Sequence, residues 1–117
     1  MIAAIPPILE RCYKALSDKK ADEIQVLDVS EVSSLTHYMI VATATSEPHL
    51  RALRIAVEAA LEGYIPHVAI DYEPMSGWVV IDAFDVMIHL LVQDKRDFYG
   101  IESLWKDGTP IAFSENA

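Results

Sequence analysis

The stretch "WVVIDAFDVMIHLLV", residues 78–92, decides the fold because it predicts a β-hairpin with two very different faces. If "DAFD" connects the two strands, Ile81 lies opposite Val86 and Trp78 lies opposite His89. Alternation along the strands then places only branched aliphatic side chains on one face: Val79, Ile81, Val86, Ile88 and Leu90. The other face mixes aromatic, acidic and apolar side chains: Trp78, Val80, Asp82, Asp85, Met87 and His89. We therefore expect the aliphatic face to be core, and the register to be well specified, since a slip by one residue would expose it.

The chain before this hairpin predicts two helices and three strands. A helical stripe of apolar residues follows two prolines and predicts a helix from about Pro7 to about Ala21. A second helix, in "HLRALRIAVEAALEG" at 49–63, has Thr45 or Ser46 as its cap and Gly63 as its end. The predicted strands are 23–29, the continuously apolar 38–44, and 67–71, and the second of these should be covered on both faces.

After the hairpin, the sequence predicts a short helical tail. The whole is an α/β (α+β) chain with a mixed sheet of about five strands and two main helices, forming a single domain over residues 1–117. Two helices over so many strands should leave part of one sheet face without a helix.

Composition and charge limit the classes of function. The chain has 117 residues, 52% of them hydrophobic, and a net charge of −9. No Lys or Arg lies between Arg54 and Lys95, and that gap contains the acids Glu58, Glu62, Asp71, Glu73, Asp82 and Asp85. Such a region disfavours direct binding to nucleic acid and favours a basic protein surface. The sequence has no apolar run long enough to span a bilayer and no basic leader, which predicts a cytoplasmic protein without a membrane partner. The single cysteine, Cys12, is expected to be a buried apolar residue.

Catalytic and metal-binding patterns are weak in this sequence. The four histidines, at positions 37, 49, 67 and 89, have no ligand spacing, so we expect neither a metal nor a cofactor. The strongest catalytic alternative is a magnesium-dependent nucleotidyltransferase that uses Asp71, Asp82 and Asp85. Against this alternative, Asp82 and Asp85 are separated by a turn, and no lysine is nearby in the sequence to hold phosphates.

The tail "KRDFYGIESLWKD", residues 95–107, has the composition of a binding segment. Phe98 is expected to fold under the sheet edge. Tyr99 and Trp105 are amphipathic rings of the type that anchor protein interfaces. Together with Trp78 and His89 they would form a mixed aromatic and acidic surface, which indicates binding more than catalysis.

The same segments resemble the ribosomal silencing factor family, also called the Iojap-related family. The resemblance lies in "HYMIVATATS", "GWVVIDAFDVMIHLL" and "RDFYGIESLWKD" and covers nearly the whole chain. Its most specific positions are Trp78, Asp82, Asp85, Val86, His89, Arg96, Phe98, Tyr99, Leu104 and Trp105. Two positions depart from the usual family pattern, which often has aspartate at the position of His37 and glycine at that of Ala44.

Family membership implies a cytoplasmic, non-catalytic factor whose fold is similar to the nucleotidyltransferase core without its catalytic set. It implies binding to the large ribosomal subunit, through the ribosomal protein numbered fourteen, on the face that meets the small subunit. Occupying that face would block subunit joining and repress translation when nutrients are short. Some members crystallise as homodimers, so a homodimeric scaffold is a further alternative.

The expected partner-binding residues divide by role. Trp78, Tyr99, Leu104 and Trp105 are expected to be anchors. Asp82 and Glu102 are expected to supply electrostatic complementarity. His89 is expected to orient Trp78, and Arg96 to brace the tail through an internal acid.

Overall fold

The structure is a computed structural model that describes residues 7–31, 36–64, 68–72, 76–99 and 108–111. The elements in chain order are α1 (Pro7–Asp18), β1 (Asp22–Asp28), β2 (Tyr38–Ala44), α2 (Glu47–Leu61), β3 (Ala69–Tyr72), β4 (Trp78–Asp82), β5 (Val86–Val92), α3 (Gln93–Tyr99) and β6 (Thr109–Ile111). Within the described residues, six strands form one sheet in the order β3-β4-β5-β2-β1-β6. The central pair β2 and β5 is parallel, and the neighbouring pairs are antiparallel.

The predicted mixed α/β architecture is confirmed, with one more strand than expected. The additional strand, β6, has three residues and pairs with β1 at the sheet edge. It includes Pro110, which cannot donate to a ladder and is normally confined to edge strands. A segment this short, with a proline at its centre, carries no alternation from which a strand could be predicted.

The hairpin of β4 and β5 has the predicted faces but not the predicted register. Trp78 pairs with Leu91, Val80 with His89, and Ile81 with Ile88, so the expected pairing of Trp78 with His89 was wrong by two residues. The connection is tighter than "DAFD", because the Ala83 N–H donates to the Val86 carbonyl at 2.9 Å. A shift of two residues leaves every side chain on its predicted face.

The aliphatic face of the hairpin lies in the core, as predicted. Val79, Ile81, Ile88 and Leu90 are 0% exposed. They pack with the apolar faces of α1 and α2 in one cluster, together with Leu9, Cys12, Leu16, Val26, Ile40, Leu50, Leu53, Val57 and Leu61. We call this side of the sheet the helix face. The expectation that Cys12 is buried is confirmed, and burial raises the pKa of its thiol to about 12.

The helix ends follow local capping chemistry. α1 ends at Asp18 rather than at the predicted Ala21, because Lys20 adopts a left-handed conformation with φ 65. Two hydrogen bonds close the helix: the Lys20 N–H donates to the Ser17 carbonyl, and the Ala21 N–H donates to the Leu16 carbonyl. Glycine usually occupies this position at a helix end. Because the residue here is Lys20, the sequence pattern did not predict where α1 ends. Of the two predicted caps for α2, Thr45 and Ser46, the helix uses Ser46, whose hydroxyl accepts a hydrogen bond from the His49 N–H at 3.2 Å.

The opposite side of the sheet carries a smaller apolar cluster. Leu27, Val29, Met39, Val41 and Leu91 are buried there, and Trp78 packs against them. α3 contacts β5 and β2. β2 is therefore covered on both faces, as its continuous apolar run predicted. In the part of the chain that the structure describes, no helix has the length and apolar character needed to cross a membrane.

Candidate functional site

Trp78 and His89 form a hydrogen-bonded pair on the side of the sheet opposite the helix face. Trp78 comes from β4 and His89 from β5, two positions apart along the ladder, because His89 pairs with Val80 and Trp78 with Leu91. The indole Nε1–H donates to His89 Nδ1 at 3.1 Å, and the two ring centroids are 5.9 Å apart. This bond fixes the orientation of the half-buried indole, which is the contact that we expected of His89.

The imidazole of His89 is held neutral. His89 is only 7% exposed, although its face of the hairpin also carries exposed side chains. This burial lowers the pKa of the imidazole to about 4. Because Nδ1 accepts a hydrogen bond from the indole N–H, the proton of the neutral imidazole must be on Nε2. The pair is therefore a rigid, uncharged unit at neutral pH.

The outer strands present a mixed surface around this pair. We call it the hairpin platform and define it as Asp71, Trp78, Val80, Asp82 and Met87. Strand pairing places Asp71 beside Val80 and Asp82 beside Met87, so all five side chains share one face. The three apolar members are half-buried and the two acids are exposed.

A shallow groove of about 400 Å³ opens at this surface, lined by Asp71, Ser76, Trp78 and Val80. The platform therefore combines accessible apolar area with negative charge. This composition is typical of a protein-binding surface, where aromatic anchors are surrounded by polar groups.

The carboxylates of the hairpin turn are engaged in local bonds. Asp82 Oδ1 accepts a hydrogen bond from the Phe84 N–H at 3.1 Å, and Asp85 Oδ1 lies 3.1 Å from His37 Nδ1. Among the described residues, no group of three or more His, Cys, Asp or Glu side chains is arranged to hold a metal ion. The described residues thus give no support to the magnesium-dependent alternative built on Asp71, Asp82 and Asp85.

Arg96 attaches α3 to the sheet. Its side chain is 3% exposed, and Nη1 donates to the Glu23 carbonyl and to the Thr43 hydroxyl, each at 2.7 Å. Its Nε lies 3.9 Å from the Glu23 carboxylate, which makes that acid the weaker of its partners. β1 has an irregular register here, with Glu23 at φ 49, which directs the carbonyl away from regular pairing. A guanidinium buried in this way positions α3 and does not offer its charge to a partner.

The remaining predicted site residues fall outside the described part of the structure. Tyr99 is the last residue of α3, but its side chain is not among those described, and Glu102, Leu104 and Trp105 lie outside the described residues. The same is true of the side chain of Phe98, which was expected to fold under the sheet edge. The structure therefore places Trp78, Asp82 and His89 on one face of the sheet, and Arg96 bonds Thr43 of β2 on that same face.

Two features were missed or left open by the sequence patterns. Phe84, at the tip of the hairpin, is 80% exposed with φ 71, and no turn rule predicts a phenylalanine there. Of the two departures from the usual family pattern, Ala44 is fully buried, whereas His37 is exposed and contacts Asp85.

Comparison with known proteins places the chain in a family. The family model described as "Ribosomal silencing factor during starvation" matches residues 3–117. A relative from Chromobacterium violaceum, named ribosomal silencing factor RsfS, is 36% identical over 107 residues, which cover 91% of this chain and 88% of the relative. The chloroplastic protein Iojap of Zea mays is 31% identical over 98 residues, which cover 84% of this chain and 43% of the maize protein.

The fold agrees with a solved structure. A crystal structure of a protein from Chromobacterium violaceum superimposes with a TM-score of 0.81 at 34% identity, and the match covers 96% of this chain and 93% of that one. The predicted resemblance is confirmed by both the sequence and the fold. The chain belongs to the ribosomal silencing factor family, which includes the Iojap-related proteins.

Proposed function

We propose that this protein is a non-catalytic silencing factor that binds the large ribosomal subunit and prevents it from joining the small subunit. The contact is with the ribosomal protein numbered fourteen, on the face where the two subunits meet, and the result is repression of translation. The observation that carries this proposal is the family match over residues 3–117, together with relatives that are named ribosomal silencing factors.

The surface properties of the chain support a protein partner within the ribosome. The net charge is −9, and the hairpin platform exposes the carboxylates of Asp71 and Asp82. These charges repel a phosphate backbone and attract basic side chains. On a particle made of RNA and basic proteins, an acidic platform selects a basic protein.

The geometry of the Trp78–His89 pair supports an anchor role for Trp78. An interface side chain that is mobile in the free protein loses rotamer freedom on binding, which costs about 0.5–1.5 kcal/mol. The hydrogen bond to His89 at 3.1 Å already restricts the indole before any partner arrives. Tyr99, Leu104, Trp105 and Glu102 extend this surface in the proposal, and Arg96 holds α3 against the sheet.

Steric exclusion requires no chemistry from the protein. A typical interface hides about 800 Å² on each partner. A molecule docked on the joining face through such an area would occupy the space that the small subunit needs. The proposal therefore predicts binding and blocking without a cofactor and without turnover.

The direct test mixes the purified protein with isolated large and small subunits. We expect the protein to co-sediment with large subunits and not with small ones. We also expect fewer joined particles when it is added before mixing. The proposal would be contradicted if the protein did not co-sediment with large subunits and did not change the number of joined particles. Sedimentation of the protein alone over a dilution series separates the alternative in which the surface serves only a homodimer.

Matched variants locate the contact. Trp105→Ala should lose large-subunit binding while remaining folded, since truncating a central aromatic anchor commonly costs about 2 kcal/mol or more.

Asp82→Asn removes the charge but keeps an oxygen for the Phe84 N–H, so it should weaken binding several-fold and reduce its dependence on salt. Asp18→Asn makes the same charge change at the exposed end of α1, on the helix face, and should bind like the wild type. Equal weakening by Asp82→Asn and Asp18→Asn would mean that only the total charge matters and that the platform is not the contact.

A further inference from the structure

Phe84 occupies an unusual position at the tip of the β4–β5 hairpin. Its backbone adopts φ 71, a left-handed conformation that glycine accepts freely and bulky residues rarely adopt. Its side chain is 80% exposed, more than Ile55, Tyr64 or Ile70, the other large apolar residues exposed among the described ones. The turn thus holds a phenylalanine in a conformation that suits glycine, with its ring in solvent.

The turn is built by groups other than the phenyl ring. The Phe84 N–H donates to Asp82 Oδ1 at 3.1 Å, and the Ala83 N–H donates to the Val86 carbonyl at 2.9 Å. The Thr36 hydroxyl donates to the Asp85 carbonyl at 2.8 Å and ties the turn to the start of β2. Because the ring is exposed, it adds little buried apolar area. The fold therefore gains little from the ring and is strained by its backbone.

The surroundings of the ring are acidic and adjoin the hairpin platform. Asp82 and Asp85 flank Phe84 in the chain, and both are exposed. Asp82 is also the platform residue nearest the tip, so the tip continues the platform in the direction away from α3. An exposed ring between carboxylates is complementary to an apolar socket with Lys or Arg side chains on its rim.

We propose that Phe84 is an additional anchor, which inserts into an apolar socket rimmed by basic side chains on the same large-subunit protein that the platform contacts. This inference rests on the proposed function and adds a second point of contact, at the end of the hairpin opposite α3. Two anchors at opposite ends of one rigid hairpin define the orientation of the bound protein as well as its position. Nucleic acid and anionic membrane are disfavoured as occupants, because Asp82 and Asp85 repel phosphate.

The test compares stability and binding for Phe84→Gly and Phe84→Asn. Both residues tolerate a left-handed backbone, so the melting temperature should be unchanged or higher than that of the wild type. Affinity for purified large subunits, measured by co-sedimentation, should fall about tenfold or more. Ile55→Ala is the matched control, since it removes a 54% exposed apolar side chain from α2 and should change neither property.

The outcomes are distinguishable. Wild-type affinity in Phe84→Gly and Phe84→Asn would overturn the inference and leave the proposed function intact. A clear drop in melting temperature in both variants would also overturn it, because the ring would then serve the fold. If the wild-type protein itself does not bind large subunits, the proposed function and this inference fail together.

Discussion

The two faces of the β4–β5 hairpin are made from the same strands but have opposite properties. On the helix face, Val79, Ile81, Ile88 and Leu90 are completely buried. On the platform face, the residues that alternate with them remain partly or fully accessible, apart from His89 and Leu91. Side chains in a strand alternate between faces, so one short segment specifies both a core and a surface. Substitutions on one face should change stability, and substitutions on the other should change binding.

The largest effect is expected from breaking the helix face at Ile88. Ile88→Ala removes a fully buried side chain from the main core and should lower the free energy of unfolding by about 4 kcal/mol, through lost burial and the cavity that remains. Urea denaturation measures this change. Met87→Ala is the neighbouring control on the platform face, where the side chain is only half-buried, and should cost clearly less. Equal losses would show that the two faces do not divide their roles.

A smaller effect is expected from protonation at His89, the buried polar residue of the platform side. Burial lowers its pKa from 6.5 to about 4 in the folded protein. Above pH 6.5, His89 is neutral in both the folded and the unfolded protein. As the pH falls from 6.5 towards 4, the unfolded chain takes up a proton at this residue that the folded protein does not. The free energy of unfolding therefore falls over this range. The loss is on the order of 3 kcal/mol.

The variant His89→Asn isolates that effect from other acid-sensitive groups. The asparagine amide keeps an oxygen that can accept from the Trp78 indole but has no proton to gain. Urea denaturation near pH 7 and near pH 4 should show a larger loss of stability in the wild type than in His89→Asn. Parallel losses in the two proteins would assign the pH dependence to other groups, such as Asp28, whose pKa is lowered by hydrogen bonds from Ser30.

The smallest of these effects is expected at Gly77, where the chain enters β4. Gly77 has φ 76, and a Cβ there would lie 2.9 Å from Val92 Cγ2 and 3.0 Å from Lys95 Cγ. Gly77→Ala should therefore cost about 2 kcal/mol in unfolding free energy, through backbone strain and crowding. Gly63→Ala has a similar φ of 82 with nothing within 4 Å and should show the strain alone, at about 1 kcal/mol. Thermal and urea denaturation of both variants check the difference, and equal costs would mean that the crowding at Gly77 is relieved by side-chain movement.

The sequence predicted those parts of the fold in which pattern and burial agree. The 38–44 strand, which is buried except at the half-buried Tyr38, and the two-faced hairpin are examples. A continuous apolar run predicts a strand covered on both faces, and alternation predicts a strand covered on one. The hairpin register was wrong by two residues because neither glycine nor asparagine marks the turn. Lys20 and Phe84 adopt the left-handed conformations that end α1 and form the turn, and neither residue type signals such a role.

The contacts of the candidate site could be predicted where they join the two strands of one hairpin. They could not be predicted where they join residues that are far apart in the sequence. Trp78 and His89 were placed on one face by alternation alone, and the register error did not separate them. The partners of Arg96 are the Glu23 carbonyl and the Thr43 hydroxyl, 73 and 53 positions away along the chain. No local pattern identifies such partners, because they are set by the order of the strands in the sheet.

The parallel pairing at the centre of the sheet has a consequence for how the protein is made. Tyr38 pairs with Val86 and Ala44 with Val92, so the central ladder joins segments from opposite halves of the chain. Contacts so distant in sequence form slowly, because a long loop must close before they stabilise anything. During synthesis, β2 stays without its central partner until β5 has left the ribosome. The central ladder of this sheet therefore cannot form until the chain has been synthesised through Val92.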